Sequence, residues 1–150
     1  MLGNESLWEL PKTAFLCSDK FSAGSVLKSY DWANEMKRQE KCVMSGFQSK
    51  LEKDVLDILL GGSQPIIYVL ARGIYKKVPE KYKDYVESER LLFVSPFTEN
   101  IKRTNRDLAF QRNQFIVDNA EEVVFAYVSK GGMLARLAVR DNKKIILDMK

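Results

Sequence analysis

Histidine is absent from the 150 residues, and with it go the commonest general base, the commonest metal ligand and every Ser-His-Asp or Cys-His mechanism. Cysteine is scarce. Cys17 and Cys42 stand without a C-x-x-C pattern or a histidine to complete a zinc set, so neither a zinc site nor a disulfide framework is expected. Reduced thiols in a cytoplasmic protein are the reading that follows. No stretch approaches the roughly 18 uncharged apolar residues of a membrane span, and the opening MLGNESLWELPK has acidic residues and no apolar run of signal-peptide length. Neither a membrane-spanning nor a signal-secreted protein is expected. Internal repeats, low-complexity tracts and long linkers are missing as well, which leaves one domain over 1–150 with an N-terminal arm at 1–11.

What remains is an ordinary globular balance: 45% hydrophobic and 29% charged residues, enough for a sizeable core. Twenty-four Lys and Arg against 20 Asp and Glu give a net charge of +4. Such a charge eases contact with nucleic acid or another polyanion and equally serves solubility alone.

Short apolar runs alternate with amphipathic segments. Thr13–Ser18, Cys42–Ser45, Pro65–Leu70, Leu91–Val94, Val123–Val128 and Ile145–Leu147 read as strands. Between them, Val26, Tyr30, Ala33 and Met36 form one stripe of a helix over about 22–38, and Leu51, Val55, Ile58 and Leu59 share a face of a second. Ser49 and Glu52 make a capping box for that second helix, which Gly61 and Gly62 end. Lys76–Glu89 reads as a polar helical or irregular crossover. Thr104 and Asp107 pair as a cap for a helix reaching Asn119, and a last helix is expected over Gly132–Arg140. Continuous apolar strands alternating with helices specify a Rossmann-like α/β fold in three layers: a mainly parallel sheet of about six strands with helices on both faces.

In such a sheet the ligand crevice lies beyond the carboxyl ends of the strands, which directs attention to the loops after them. Those loops hold Ser18, Asp19 and Lys20; Ser45, Gly46 and Lys50; Arg72 and Gly73; Ser95 and Pro96; and Ser129, Lys130, Gly131 and Gly132. Small residues let backbone N–H groups approach a phosphate, and Lys50, Arg72 and Lys130 offer countercharge. Tight turns with solvated basic side chains account for each loop taken singly. Their coincidence on one edge favours an anion site.

Arg112 is a separate clue. It lies four residues from both Leu108 and Ile116, in the middle of an apolar helical face, so it must pair with a carboxylate, bond backbone carbonyls or reach the crevice. Asn113, beside it, stands at the edge of that face and is placed to hold a loop or a phosphate oxygen.

Three blocks of the chain resemble the DNA processing protein A (DprA/Smf) family. They are Ser45-Gly46-Phe47 before a helix, Val69-Leu70-Ala71-Arg72-Gly73-Ile74, and Phe110 to Ile116 leading to Lys130-Gly131-Gly132-Met133-Leu134. The resemblance covers Pro11 to Met149. It implies a Rossmann-like domain that binds single-stranded DNA at a basic pocket, works in DNA uptake and recombination with a recombinase partner, and self-associates. No cofactor is expected, and without histidine no catalytic residue is assigned. Phosphate contacts would fall to Ser18, Lys20, Ser45, Gly46, Lys50, Arg72, Gly73, Arg112, Asn113, Lys130, Gly131 and Gly132. The chain departs from the family at Cys17-Ser18-Asp19, where Gly-Ser-Arg is usual, and at Gln114, where a second arginine is usual. The helical and winged-helix additions often found in the family have no counterpart here, so a minimal, divergent member is expected.

The same superfamily includes lysine decarboxylase-like (LOG) nucleotide phosphoribohydrolases, whose Pro-Gly-Gly-x-Gly-Thr-x-x-Glu block carries the catalytic acid. Here that block reads Ser129-Lys130-Gly131-Gly132-Met133-Leu134-Ala135-Arg136, with no Glu in the catalytic place. Binding without hydrolysis is expected, with a nucleotide sensor or a relative that lost its acid as the alternative, and with Glu52 and Asp54 as the carboxylates left near the second loop. Two features stay open. Tyr75 to Lys83 interleaves aromatics with lysines, as a strand-tracking surface or as a solvated crossover. Trp8 and Trp32 serve packing or a dimer surface.

Overall fold

The computed structural model describes residues 1–129, 132–138 and 144–147. Among these residues five helices and six strands alternate: β1 (Thr13–Leu16), α1 (Ala23–Gln39), β2 (Val43–Ser45), α2 (Lys50–Leu60), β3 (Ile66–Val69), α3 (Lys83–Glu87), β4 (Leu91–Val94), α4 (Arg106–Asn119), β5 (Glu122–Phe125), α5 (Met133–Ala138) and β6 (Lys144–Ile146). Single 3₁₀ turns occur at Glu5–Glu9 and Glu80–Tyr82. The strands form one sheet in the order β4-β3-β2-β1-β5-β6, and every adjacent pair is parallel.

The alternation of side chains along each strand builds two cores. Ala14, Leu16, Met44, Ile67, Val69, Leu92, Val94, Val123 and Phe125 pack on one face, with Leu7, Ile116 and Val117 of α4, and Leu134 and Leu137 of α5. Phe15, Val43, Ile66, Leu91, Phe93 and Val124 pack on the other, with Ala33 and Met36 of α1 and Leu51, Val55 and Leu59 of α2. Full burial of each such side chain contributes about 1.5–3 kcal/mol. Both faces must therefore be covered for the sheet to be stable, which explains why these strands read as unbroken apolar runs.

Local signals set the helix ends. Ser22 caps α1, its side chain accepting from Ser25 N, and Glu40 closes it with φ 53° in the left-handed region. The Ser49–Glu52 capping box is present in full. The cap of α4 differs from expectation: Asn105 Oδ1 accepts from Leu108 N at 2.8 Å, while Thr104 stays outside the helix. Asn is as good an N-cap as Thr or better, and here it is one residue closer to the first turn. The crossover expected over 76–89 is irregular apart from one 3₁₀ turn and the short α3. The strand expected over Val123–Val128 is Glu122–Phe125, and α5 covers Met133–Ala138, with Gly132 in the bend before it and 139–140 of the expected helix outside the described residues.

The N-terminal arm returns to the sheet edge. Leu2 and Phe93 exchange backbone hydrogen bonds of 2.9 and 3.0 Å, an antiparallel bridge that covers one point of β4, which would otherwise be an open edge. Trp8 stacks on Phe115 at 5.7 Å and Trp32 on Phe15 at 4.9 Å, so both tryptophans pack internally. Among the described residues no helix is long and apolar enough to cross a membrane.

Candidate nucleic-acid interface

From β1 the chain steps outward through β2 and β3 to β4, then returns by way of α4 to place β5 on the other side of β1. The loops after β1 and β5 therefore diverge, and a crevice opens between them, as open α/β sheets require at a point where strand order reverses. It encloses about 690 Å³. Its walls come from Cys17–Lys20 after β1, from Gln48, Ser49 and Glu52 at the start of α2, from Thr104–Arg106 and Arg112 of the α4 segment, and from Ser129 and Gly132–Leu134 after β5.

Ser18 ties the two diverging loops together. Its hydroxyl donates to Tyr127 O at 3.3 Å and accepts from Ser129 N at 3.2 Å. Ser18 thus spends its hydroxyl on holding the crevice mouth, with Lys20 on the rim.

The floor is built around Glu52, only 3% exposed. One carboxylate oxygen accepts from Gln48 N (2.9 Å) and Ser49 N (3.2 Å), and the other from Cys17 N (3.0 Å), joining the end of β1 to the start of α2. Burial raises the Glu52 pKa, while Arg112 and the three backbone donors pull it down; burial prevails. The preceding loop is constrained too. Phe47 is fully buried with φ 44°, and its N–H donates to the buried Ser45 hydroxyl at 3.1 Å. Left-handed backbone at a bulky residue costs energy and persists only where the surroundings enforce it.

Arg112 enters over this loop. Only 4% exposed, it donates from Nε to Asn113 Oδ1 at 2.8 Å, from Nη2 to Gln48 Oε1 at 2.9 Å, and from Nη1 to Val69 O at a long 3.5 Å. Gly46 leaves the space for it, since a Cβ there would lie 2.6 Å from Arg112 Nε and closer still to Cζ. Burial lowers the Arg112 pKa and the Glu52 charge opposes that shift. The guanidinium nonetheless remains charged, because arginine is not deprotonated in proteins. Its bonded partners are neutral oxygens, so Arg112 is held in the crevice wall rather than in a contact ion pair. A guanidinium has five N–H donors. Among the described residues each of its three nitrogens donates one hydrogen bond, which engages three of the five.

Of the residues singled out in the sequence, the crevice gathers Ser18, Lys20, Arg112, Asn113 and Gly132, with Ser45 and Gly46 directly behind it. Lys50 points away, 76% exposed and 3.5 Å from Asp54. Arg72 lies over the Tyr75 ring at 4.6 Å and donates to Gly73 O at 3.1 Å. Gly73 N donates to Ile101 O at 2.7 Å, and a Cβ on Gly73 would press on the backbone of Thr98 and Glu99. Lys130 and Gly131 lie outside the described residues. The aromatics of 75–83 turn inward: Tyr75 and Tyr82 meet Phe93 edge-on at 5.5 and 5.8 Å.

Sequence reasoning missed Gln48, Asn105, Arg106 and Met133 as lining residues, and read Glu52 as a helix cap and a carboxylate near the second loop, not as the tie between β1 and α2. The capping box marked Glu52, but its bond to Cys17 spans 35 residues and has no local signature. The Cys17 thiol, in the same crevice, is pushed up to about 12, chiefly by burial, and so stays protonated. Asp54 accepts from the Tyr30 hydroxyl at 3.1 Å. Among the described residues no group of His, Cys, Asp and Glu could hold a metal ion.

No protein-family model matches the chain, and no curated protein is significantly similar to it in sequence. Solved structures share its fold. DNA processing protein A from Helicobacter pylori, whose structure describes a single-stranded DNA binding mode, superposes with a TM-score of 0.75 at 15% identity, over 99% of this chain and 71% of that one. DNA processing protein A from Streptococcus pneumoniae gives 0.74 at 15% identity over 96% of this chain, which spans 52% of the pneumococcal protein. A molybdenum cofactor binding protein from Rippkaea orientalis gives 0.61 at 12% identity, over 91% of this chain and 76% of that one. At such identities the likeness establishes the Rossmann-like fold.

Proposed function

We propose that this chain binds single-stranded DNA, with a backbone phosphate seated in the crevice between the β1 and β5 loops. The observation that carries the reading is Arg112, a buried guanidinium in the wall of an open crevice, whose bonds among the described residues go to neutral oxygens and engage three of its five N–H donors. Leaving charged donors unpaired inside a protein is costly, whereas a phosphate oxygen satisfies them with charge-assisted bonds. Lys20 and Arg106 on the rim add positive charge toward the same ligand, and Gly132 keeps the opposite wall low. The likeness in fold to two DNA processing proteins adds support, one of them described as binding single-stranded DNA.

Binding rather than hydrolysis fits the carboxylates. Glu52 is committed to three backbone donors, and Asp54 faces Tyr30 and Lys50 away from the crevice, so neither is free to act as general acid or base on a bound ligand. The recombinase partner and self-association implied by the resemblance rest on that resemblance alone.

Titration with fluorescent oligonucleotides at low and physiological salt tests the proposal. Log affinity should fall against log salt with a slope of about −0.7 per phosphate neutralised. Failure to bind any oligonucleotide at low salt would refute it. A second reading, a free nucleotide as ligand, is favoured by the crevice volume of about 690 Å³, which is within the range of small-molecule sites. A thermal shift with mononucleotides but not with oligonucleotides would select it.

A further inference from the structure

Beside the crevice, and sharing Arg106, Gly132 and Met133 with it, is a second depression of about 300 Å³ completed by Asp107, Phe110 and Arg136. The shared residues make the two depressions neighbours along one side of the domain. Arg136, on α5, sits over Phe110 of α4 with its Cζ 4.3 Å from the ring centroid. Phe110 packs beneath on the core, which fixes the stack from below. Arg136 itself is exposed and lines the depression. Arginine planes of this kind accept nucleobases by stacking, and stacking does not depend on base identity.

We infer that the site is at least two nucleotides long: the crevice holds a phosphate, and the adjoining notch takes a neighbouring nucleotide with its base stacked on Arg136. This rests on the crevice reading proposed above and extends it in one direction, across Arg106 toward α5. Arg106 lies between the two compartments and is placed to meet the phosphate that links them. The notch pairs Arg106 and Arg136 against the single carboxylate of Asp107, a local excess of positive charge that suits an anionic strand. A supported, planar cation lining the depression also distinguishes a nucleobase ligand from a simple anion, which needs charge but no stacking surface.

The experiment compares binding of 5′-phosphorylated thymidine oligomers of one, two, three and six nucleotides, together with trinucleotides carrying 2-aminopurine at each position in turn. For the unaltered protein, affinity should rise about tenfold or more from one nucleotide to two or three, and one 2-aminopurine position should be quenched on binding. Arg136→Ala should remove that gain and the quenching while leaving binding of the single nucleotide unchanged. Arg136→Lys, which retains the charge without the plane, should also fail to quench. Arg136→Gln guards against a folding defect, which circular dichroism would reveal. A length gain and quenching that survive in Arg136→Ala would overturn the notch alone. No binding at any length would overturn the crevice reading, and this inference with it.

Discussion

The guanidinium of Arg112 occupies the space that a side chain at Gly46 would need: a Cβ built there falls 2.6 Å from Arg112 Nε. Glycine after β2 is thus required by a side chain from the other end of the domain, not by backbone conformation. Gly46→Ala should expel the guanidinium from its three acceptors, weakening oligonucleotide binding and costing about 1–3 kcal/mol of stability. In an Arg112→Ala background the same substitution should be nearly neutral, because the space is free. A double-mutant cycle by urea denaturation measures the coupling. Simple additivity of the two changes would contradict the relationship.

Arg112→Ala alone should weaken binding by about 1–3 kcal/mol through loss of charge-assisted bonds to phosphate. Its folding cost should stay below the roughly 3–5 kcal/mol of a broken buried ion pair, since Glu52 keeps its three backbone donors without Arg112. Arg112→Lys should recover little of the binding, lacking the planar fork. Denaturation and binding measured on one preparation separate these effects, and intact affinity in Arg112→Ala would remove it from the site.

Glu52 gives a pH signature. Its pKa in the folded protein is raised above the ordinary 4.5, mainly by burial, so the folded state binds the proton more tightly than the unfolded chain does. Its contribution is therefore full below about 4.5 and is lost as pH rises through the folded-state value. Glu52→Gln removes this titration but keeps one acceptor oxygen. The stability difference, native minus variant, should shrink as pH rises from 4.5 toward neutrality in urea melts. A difference that grows over that range would reverse the assignment.

Both thiols are pushed up to about 12, with burial the largest cause at each. At pH 8 the native protein should react with iodoacetamide far more slowly than a free thiol, and both cysteines should label rapidly in denaturant. Fast native labelling of Cys17 would mean that the crevice floor is more open than the fold implies.

Gly73 separates packing from binding after β3. A Cβ there would lie 2.9 Å from Glu99 Cα and closer to Thr98 O, so Gly73→Ala forces backbone apart and should cost about 1–3 kcal/mol. Crevice binding should be retained. Lost affinity with unchanged stability would place the Gly73 loop on the ligand.

The strand and helix order was legible because it depends on local pattern: unbroken apolar runs such as Leu91–Val94 need cover on both faces, and Ser49 with Glu52 can cap a helix wherever it packs. The crevice edge was legible for the same reason, since parallel strands put all their following loops at one end. Which loops meet across it was not. Lys50 and Arg72 have the same composition as Lys20 and Arg106, yet only the latter pair line the crevice, because helix phase and the β1–β5 reversal decide direction. The sequence by itself thus determined the layers, the face of α4 that carries Arg112, and the want of histidine chemistry. Only the tertiary structure decided that Gly46 makes room for Arg112, that Glu52 ties Cys17 to α2 and that Arg136 lies on Phe110. Each of those contacts joins residues distant in the chain, where no periodicity or cap records a partner.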